Sequence, residues 1–123
     1  MTIKQVEELL GLDRETVRYY IKEGLLAPKQ HANQYREYSE DDVRQLKRIM
    51  VLRQLEISIA DIRRIFKDEL DMRDAIENSR KLIEQKQIIV NDAVRICSEL
   101  MNIDDNQFDP DPYFRNYKQE FAS

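Results

Sequence analysis

Three neighbouring side chains have functional groups that suit a contact with nucleic acid: Arg18, Tyr19 and Tyr20. A guanidinium group can bridge phosphates or donate to guanine. A phenol hydroxyl can donate to phosphate while its ring packs on a sugar or on a thymine methyl group. One of the tyrosines can instead belong to the core, and Tyr20 fits that role better because Val17 and Ile21 flank it on the apolar side.

Residues suited to catalysis or metal binding are sparse. His31 is the only histidine and Cys97 the only cysteine. There is no glycine-rich phosphate loop and no activated nucleophile arrangement, so we expect no enzyme. Soft metals and iron–sulfur clusters need several thiolate or imidazole ligands, so we predict no bound metal and no cofactor. We interpret Cys97 as a small packed hydrophobic residue, with a redox sensor as the alternative.

Two short predicted helices position the Arg–Tyr run. Thr2 begins a capping box at the start of the first helix, which ends at Gly11. Asp13 caps a second helix, which runs to about Glu23 and ends at Gly24. Two short helices joined by a tight glycine turn form a helix-turn-helix.

The next elements are predicted to be a hairpin and two more helices. Residues 25–38 favour a β-hairpin, or wing, whose turn lies at residues 31–34. Ser39 caps a third helix and Ser58 a fourth. The predicted buried residues of these two helices are Val43, Leu46, Ile49, Met50, Leu52, Ile59, Ile62, Ile65 and Phe66.

A long helix is predicted from about Asp74 to Met101. Apolar residues recur along it every seven positions, although Lys86 interrupts one row. A lone helix cannot bury such a stripe, and the simplest partner is the same helix of a second copy. The predicted dimer contacts are Leu82, Ile89, Val90, Ala93, Ile96, Cys97 and Leu100.

The net charge of −4 is unevenly divided along the chain. Residues 1–66 contain 12 Lys and Arg with 11 Asp and Glu, whereas residues 67–123 contain 8 and 13. A basic surface in the first half is compatible with this division, since binding depends on where charges face. No apolar run is long enough for a membrane span, and no signal-peptide pattern is present, so we expect a cytoplasmic protein without membrane contact.

The end of the chain combines acidic and aromatic residues. Half of the ten aromatic side chains lie in the last sixteen residues. One interpretation is a short helix at 112–121 that packs on the first domain of a partner copy. The other is a pocket for an apolar ligand, lined by Phe108, Tyr113, Phe114 and Tyr117. The aspartates between residues 104 and 111 suggest a hard cation, but a solvated acidic linker is the simpler interpretation.

Residues 2–66 resemble the DNA-binding domain of the MerR family of transcription regulators. The matching segments are Thr2-Ile3 with Val6, Gly11-Leu12, Thr16-Val17-Arg18-Tyr19-Tyr20, Gly24-Leu25-Leu26 with Pro28, Tyr35-Arg36 with Tyr38-Ser39, Leu52-Arg53 with Leu55, and Ser58-Ile59 with Ile62. The resemblance implies a mostly α fold, with a winged helix-turn-helix DNA-binding domain at residues 1–70. A long antiparallel coiled-coil dimerisation helix at 74–103 and a tail at 104–123 would follow.

The resemblance also implies which residues contact DNA. They are Arg14, Thr16, Arg18, Tyr19 and Tyr20 of the second helix, Tyr35 and Arg36 of the wing, and Arg53 of the third helix. Lys29 and Tyr38 are further candidates. For Arg53 the alternative is an intramolecular salt bridge. Such contacts mostly position the protein on the duplex, and few side chains read sequence.

Two positions depart from the family pattern. The family usually has Gly before the wing Tyr, where this chain has Gln34, and the wing is about one residue shorter than in common members. Asn33 is a residue that can accept a left-handed turn position. The family's usual Gly after Leu55 is Glu56 here, which we expect to stiffen or re-aim the junction between the third and fourth helices.

The function that the resemblance implies is a homodimeric transcription regulator. It would bind a pseudo-palindromic stretch of double-stranded DNA in a promoter and distort the promoter spacer, so that RNA polymerase can engage. A small-molecule effector is a further expected partner, although no sensor chemistry is visible in the sequence. The alternative is an architectural or accessory DNA-binding protein that has the same winged helix and responds to no effector.

Overall fold

The computed structural model describes residues 1–114, of which the first hundred are mostly helical. The elements are α1 (Ile3–Leu10), α2 (Arg14–Lys22), β1 (Lys29–Gln30), β2 (Arg36–Glu37), α3 (Glu40–Gln54), α4 (Ile59–Phe66) and α5 (Met72–Leu100), followed by a 3₁₀ turn at Asp105–Gln107. This order confirms the predicted mostly α fold, with a helix-turn-helix, a wing and a long C-terminal helix.

The four predicted N-caps are the observed ones. Thr2, Asp13, Ser39 and Ser58 each accept a hydrogen bond from the backbone N–H three residues later, at 2.8–3.1 Å. These bonds satisfy N–H groups that have no partner within the helix. Local side-chain chemistry therefore sets where α1, α2, α3 and α4 begin.

Helices α2, α3 and α4 end in the same way. A residue just beyond each helix has a positive φ: Gly24 at 78°, Glu56 at 64° and Asp68 at 57°. The N–H groups of this residue and the next one return to carbonyls of the last helical turn, which is the Schellman motif. Glu56 therefore adopts the left-handed conformation that glycine would adopt most easily.

The wing is a two-stranded antiparallel hairpin, in which Lys29 pairs with Glu37 and Gln30 with Arg36. The left-handed residue of its turn is Gln34, with φ at 66°, and not Asn33, which could also have accepted this conformation. The side chain of Asn33 instead accepts the N–H of Tyr35 at 3.1 Å. Asn33, the residue before Gln34, thus stabilises the turn through its side chain.

We expect Gln34→Gly to raise the free energy of unfolding by up to about 1 kcal/mol. The left-handed conformation costs a residue with a Cβ roughly 1–2 kcal/mol, and the freer unfolded chain returns roughly 0.4–1 kcal/mol of that gain. Urea unfolding measures the difference. Ala32→Gly in the same turn is the matched control, because Ala32 is not among the described positive-φ residues and should lose stability. A loss in both variants would contradict the strain at Gln34.

The hydrophobic core joins the four short helices, the loop after α2 and the start of α5. Its most deeply buried side chains are Val6, Val17, Leu46, Ile49 and Ile62. Tyr20, Leu25, Leu26, Tyr38, Val43, Leu52, Ile57 and Ala75 complete the cluster. The apolar faces that the spacing predicted for α3 and α4 are the faces that pack, with Ile59, Ile65 and Phe66 partly buried at the edge.

Two polar contacts hold α2 and the wing in this unit. Arg63 of α4 donates through Nε to the backbone carbonyl of Glu23 at 2.7 Å, and through Nη2 to the Glu23 carboxylate. The N-terminal ammonium of Met1 donates to the carbonyl of Tyr38 at 2.7 Å, and the Tyr38 N–H donates back to Met1 at 2.8 Å. Both ends of the segment from α2 to β2 are thereby attached to other elements.

The chain divides into two compact units, of which the first covers Met1–Ser79 and the second begins at Arg80. Helix α5 begins in the first unit and makes up most of the described second unit. It exposes large apolar side chains in the single chain, including Leu82, Val90 and Val94, at 58–61%.

Candidate nucleic-acid interface

The solvent-facing side of α2 contains Arg14, Glu15, Arg18 and Tyr19, and all four residues are exposed. With 3.6 residues per turn, positions 14, 15, 18 and 19 share one face of the helix. The opposite face, which includes Val17, packs in the core. The sequence therefore folds α2 with most of its predicted DNA contacts outward.

Arg14 is held by a glutamate of α1. Its Nε and Nη2 donate to Oε1 of Glu7 at 3.1 and 2.8 Å, and its backbone N–H donates to Oε2 at 3.2 Å. The side-chain hydrogen bond from Arg14 is the largest cause that lowers the pKa of the Glu7 carboxyl. This pair fixes the start of α2 against α1.

Thr16 and Asp13 complete the start of α2. The N–H of Thr16 donates to Oδ1 of Asp13 at 2.8 Å. This backbone hydrogen bond is the main cause of the lowered pKa of the Asp13 carboxyl. Thr16 itself is half-buried.

Arg18 pairs with a residue of its own helix. Its Nη1 donates to Oε1 of Glu15 at 3.1 Å, and the two side chains are 57% and 80% exposed. Among residues 1–114 the structure gives the guanidinium of Arg18 no other hydrogen-bond partner. Its remaining donors face solvent and are available to an acceptor outside the chain.

The two tyrosines differ in exposure. Tyr19 is 46% exposed and Tyr20 is 7% exposed, with ring centroids 6.1 Å apart. Burial raises the pKa of Tyr20, and the nearby guanidinium of Arg53 acts in the opposite direction. Tyr20 is thus a core residue in the single chain, the role that the apolar flank of α2 allowed for, while Tyr19 presents its ring to solvent.

The predicted wing contacts, Tyr35 and Arg36, differ in exposure. Tyr35 is 48% exposed at the turn, and Arg36 is half-buried on β2. Burial raises the pKa of Tyr38, whereas the guanidiniums of Arg36 and Arg18 act to lower it. Arg18 of α2 and Arg36 of the wing therefore both act electrostatically on the same hydroxyl group.

Arg53, near the end of α3, makes a contact that is not the salt bridge weighed as its alternative. Its Nη1 donates to the backbone carbonyl of Ile57 at 2.8 Å. The residue is exposed overall, and its positive charge acts to lower the pKa of Tyr20. Arg53 thereby stabilises the loop after α3 and keeps part of its guanidinium in solvent.

Sequence reasoning did not single out the two glutamates that pair with these arginines. The spacing of three between Glu15 and Arg18 is a signal of an ion pair on a helix. The contact between Glu7 and Arg14 crosses the turn between two helices, and its distance depends on the angle at which α1 meets α2. No local pattern indicates that angle.

The predicted dimer residues lie on α5, with Leu82 and Val90 exposed and Ile89, Ile96 and Leu100 half-buried in the single chain. Cys97 and Ala93 are exposed, so the predicted packing of Cys97 depends on a second copy.

The described part of the tail lies against the end of α5. The rings of Phe108 and Tyr113 stack at 6.5 Å, and a cavity of about 330 Å³ is lined by Leu100, Ile103, Asp104 and Phe108. Burial, followed by the neighbouring Glu99 carboxylate, raises the pKa of Tyr113. Phe114 is 80% exposed. Tyr117 and most of the helix predicted at 112–121 lie outside the described residues.

Two searches of the described residues add to this picture. No group of three His, Cys, Asp or Glu side chains in the part up to residue 114 is arranged to hold a metal ion. Within the same part, no helix combines the length and apolar character needed to cross a membrane.

Comparison with known proteins gives consistent matches. Residues 1–69 match the model of the MerR HTH family regulatory proteins. The HTH-type transcriptional regulator HmrR of Rhizobium leguminosarum bv. viciae is 30% identical over 100 residues, which are 81% of this chain and 78% of that protein.

Two solved structures share the fold. The N-terminal part of MtaN, the Bacillus subtilis multidrug transporter activator, matches with a TM-score of 0.68 at 20% identity, covering 84% of this chain and 99% of that one. HiNmlR, a MerR family regulator lacking the sensor domain and bound to promoter DNA, matches with a TM-score of 0.64 at 20% identity. The match covers 81% of this chain and 88% of that one. On the family match and the sequence identity to HmrR, this chain belongs to the MerR family and is a transcription regulator with a winged helix-turn-helix DNA-binding domain.

Proposed function

We propose that the protein is a homodimer that binds a pseudo-palindromic promoter and distorts the spacer, so that RNA polymerase can engage. The observation on which the proposal rests is the outward face of α2, where Arg14, Arg18 and Tyr19 are exposed, with the wing cation Arg36 acting, like Arg18, to lower the pKa of Tyr38. A helix and a wing that present cations side by side can follow the groove and the adjacent phosphates of one duplex.

The proposed DNA contacts divide by position. Arg14, Arg18 and Tyr19 lie on the outward face of α2, Thr16 is half-buried at the start of the same helix, and Tyr35 and Arg36 lie on the wing. Arg53 contacts the DNA backbone from α3. Tyr20 acts mainly by supporting the helix, because its ring is buried, and any contact with DNA is through its hydroxyl.

The proposed dimer forms through α5. Its exposed and half-buried apolar residues recur at heptad spacing, as in helices that pair with a second helix. A dimer places two recognition helices about one turn of DNA apart, so the operator should mirror the two-fold symmetry of the protein. HiNmlR, which shares the fold, was solved bound to promoter DNA, which supports this use of the domain.

Binding to the promoter upstream of its own coding sequence should weaken steeply as salt rises. Arg14, Arg36 and Arg53 of each copy give about six phosphate contacts per dimer, and proteins with roughly six to ten such contacts lose roughly 10³- to 10⁵-fold in affinity between about 50 and 200 mM salt. A mobility-shift titration at several salt concentrations measures the slope. A slope near zero would contradict the proposal.

Effector control is the finer part of the proposal, and an architectural role without an effector is its alternative. The cavity beside Phe108 is a candidate pocket for an apolar ligand, and Tyr113 and Phe114 lie nearby in the sequence. Transcription from the bound promoter, with and without cell extract, separates the two roles. Extract-dependent activation supports a regulator with an effector, and no change in transcription supports the architectural role.

A further inference from the structure

Glu15 is the one acidic residue among the four exposed residues of the outward face of α2, and the others suit contact with a polyanion such as DNA. It lies between Arg14 and Arg18 on the outward side of α2. Its side chain is 80% exposed, more than any other acid in the ion pairs described within residues 1–114. A phosphate would repel this carboxylate. If α2 enters the major groove, as the proposed function requires, the carboxylate faces base edges instead.

The chemistry of a carboxylate limits which base it can contact. An ionised carboxylate has acceptors and no donor. In the major groove guanine presents two acceptors and thymine presents an acceptor beside a methyl group, so both disfavour it. Adenine presents the N6 donor next to the N7 acceptor, and the N7 lone pair would repel the second carboxylate oxygen. Cytosine presents the N4 donor without an adjacent acceptor.

The hydrogen bond to Arg18 gives the carboxylate a defined position. Oε1 of Glu15 accepts from Nη1 of Arg18 at 3.1 Å, which leaves the other arginine donors and the second carboxylate oxygen for a ligand. The two groups are three residues apart, and such residues are neighbours on one helix face. A guanidinium and a carboxylate held side by side match the acceptors of guanine and the donor of cytosine.

We propose that Glu15 is a specificity-determining residue that accepts a hydrogen bond from cytosine N4, beside a guanine contacted by Arg18. This inference rests on the proposed function, because it requires α2 to face the bases. Glu15 then lowers affinity for DNA in general through its charge and raises the preference for one base at one position in each half-site.

The test compares wild type and Glu15→Gln on duplexes in which each base pair of a bound half-site is replaced in turn. We expect one position where replacing cytosine by thymine weakens wild-type binding about tenfold, in line with a good base contact. In Glu15→Gln that position should become neutral within about twofold, while binding to unrelated DNA becomes stronger. Glu8→Gln, an exposed substitution on α1 that removes the same charge, should leave the base preference intact.

The two possible failures are distinguishable. If Glu15→Gln strengthens binding to every duplex by one common factor, the base contact is wrong while DNA binding through α2 stands. A wild-type preference for adenine at the position that Glu15→Gln affects would also overturn the assignment to cytosine. If wild type binds no duplex in a salt-dependent way, the proposed function fails and the inference fails with it. Circular dichroism of the variants confirms that α2 stays folded.

Discussion

Arg18→Ala is expected to reduce affinity for the operator by about 100-fold or more. One good arginine contact contributes roughly 1–3 kcal/mol, and a dimer loses the contact in both half-sites. Arg18 has the geometry for this role, because it is exposed on α2 and is anchored only by Glu15 among the described residues. Fluorescence anisotropy with a labelled operator duplex measures the change.

Arg64→Ala is the matched control for this substitution. Arg64 is also exposed and pairs with an acid three residues away, since its Nη1 lies 3.3 Å from Oδ1 of Asp61. The two arginines therefore differ mainly in the helix that presents them, α2 or α4. The proposed site predicts that Arg64→Ala retains most of the affinity. Equal losses would show that net charge, rather than the position of Arg18, determines binding.

We expect Ile89→Glu to convert the proposed dimer to monomers at micromolar concentration. Ile89 lies at the centre of the heptad row on α5 and is half-buried even in the single chain. A glutamate there would have to be desolvated in both copies without a partner, which costs several kcal/mol in total. We expect the dissociation constant to rise by roughly 100-fold or more. Sedimentation equilibrium measures it directly.

The control for Ile89→Glu is Gln87→Glu. Gln87 is exposed and lies about 200° around the helix from Ile89. The substitution Gln87→Glu therefore introduces the same charge on the other side of α5. The dimer should persist in this variant. If Ile89→Glu remains dimeric, then α5 pairs through another face or the protein associates elsewhere. In the expected case the monomer also loses operator affinity, because only one half-site is contacted at a time.

Much of the first unit could be predicted from short-range chemistry. The caps at Thr2, Asp13, Ser39 and Ser58 depend on contacts three residues apart, which a sequence displays openly. The apolar spacing of α3 likewise indicates its buried face, because the period of the helix is fixed. The outward position of Arg18 and Tyr19 follows once Val17 is assigned to the core.

Other features depend on long-range geometry. The wing turn is a local exception: the sequence allowed a left-handed residue at Asn33, whereas the structure has it at Gln34 and uses the Asn33 side chain to accept the N–H of Tyr35. The contacts of Arg14 with Glu7 and of Arg63 with Glu23 join separate helices, and no periodicity indicates them. The dimer residues of α5 stay a prediction, because their burial requires a second chain.

Selection of bound sequences from a pool of random duplexes tests the central claim most directly. A dimer that holds DNA through α2 and the wing should enrich inverted repeats whose half-sites lie about one helical turn, or a multiple of it, apart. The same selection with Arg18→Ala should lose that enrichment. Enriched sequences without two-fold symmetry, or an unchanged repeat from Arg18→Ala, would contradict the account.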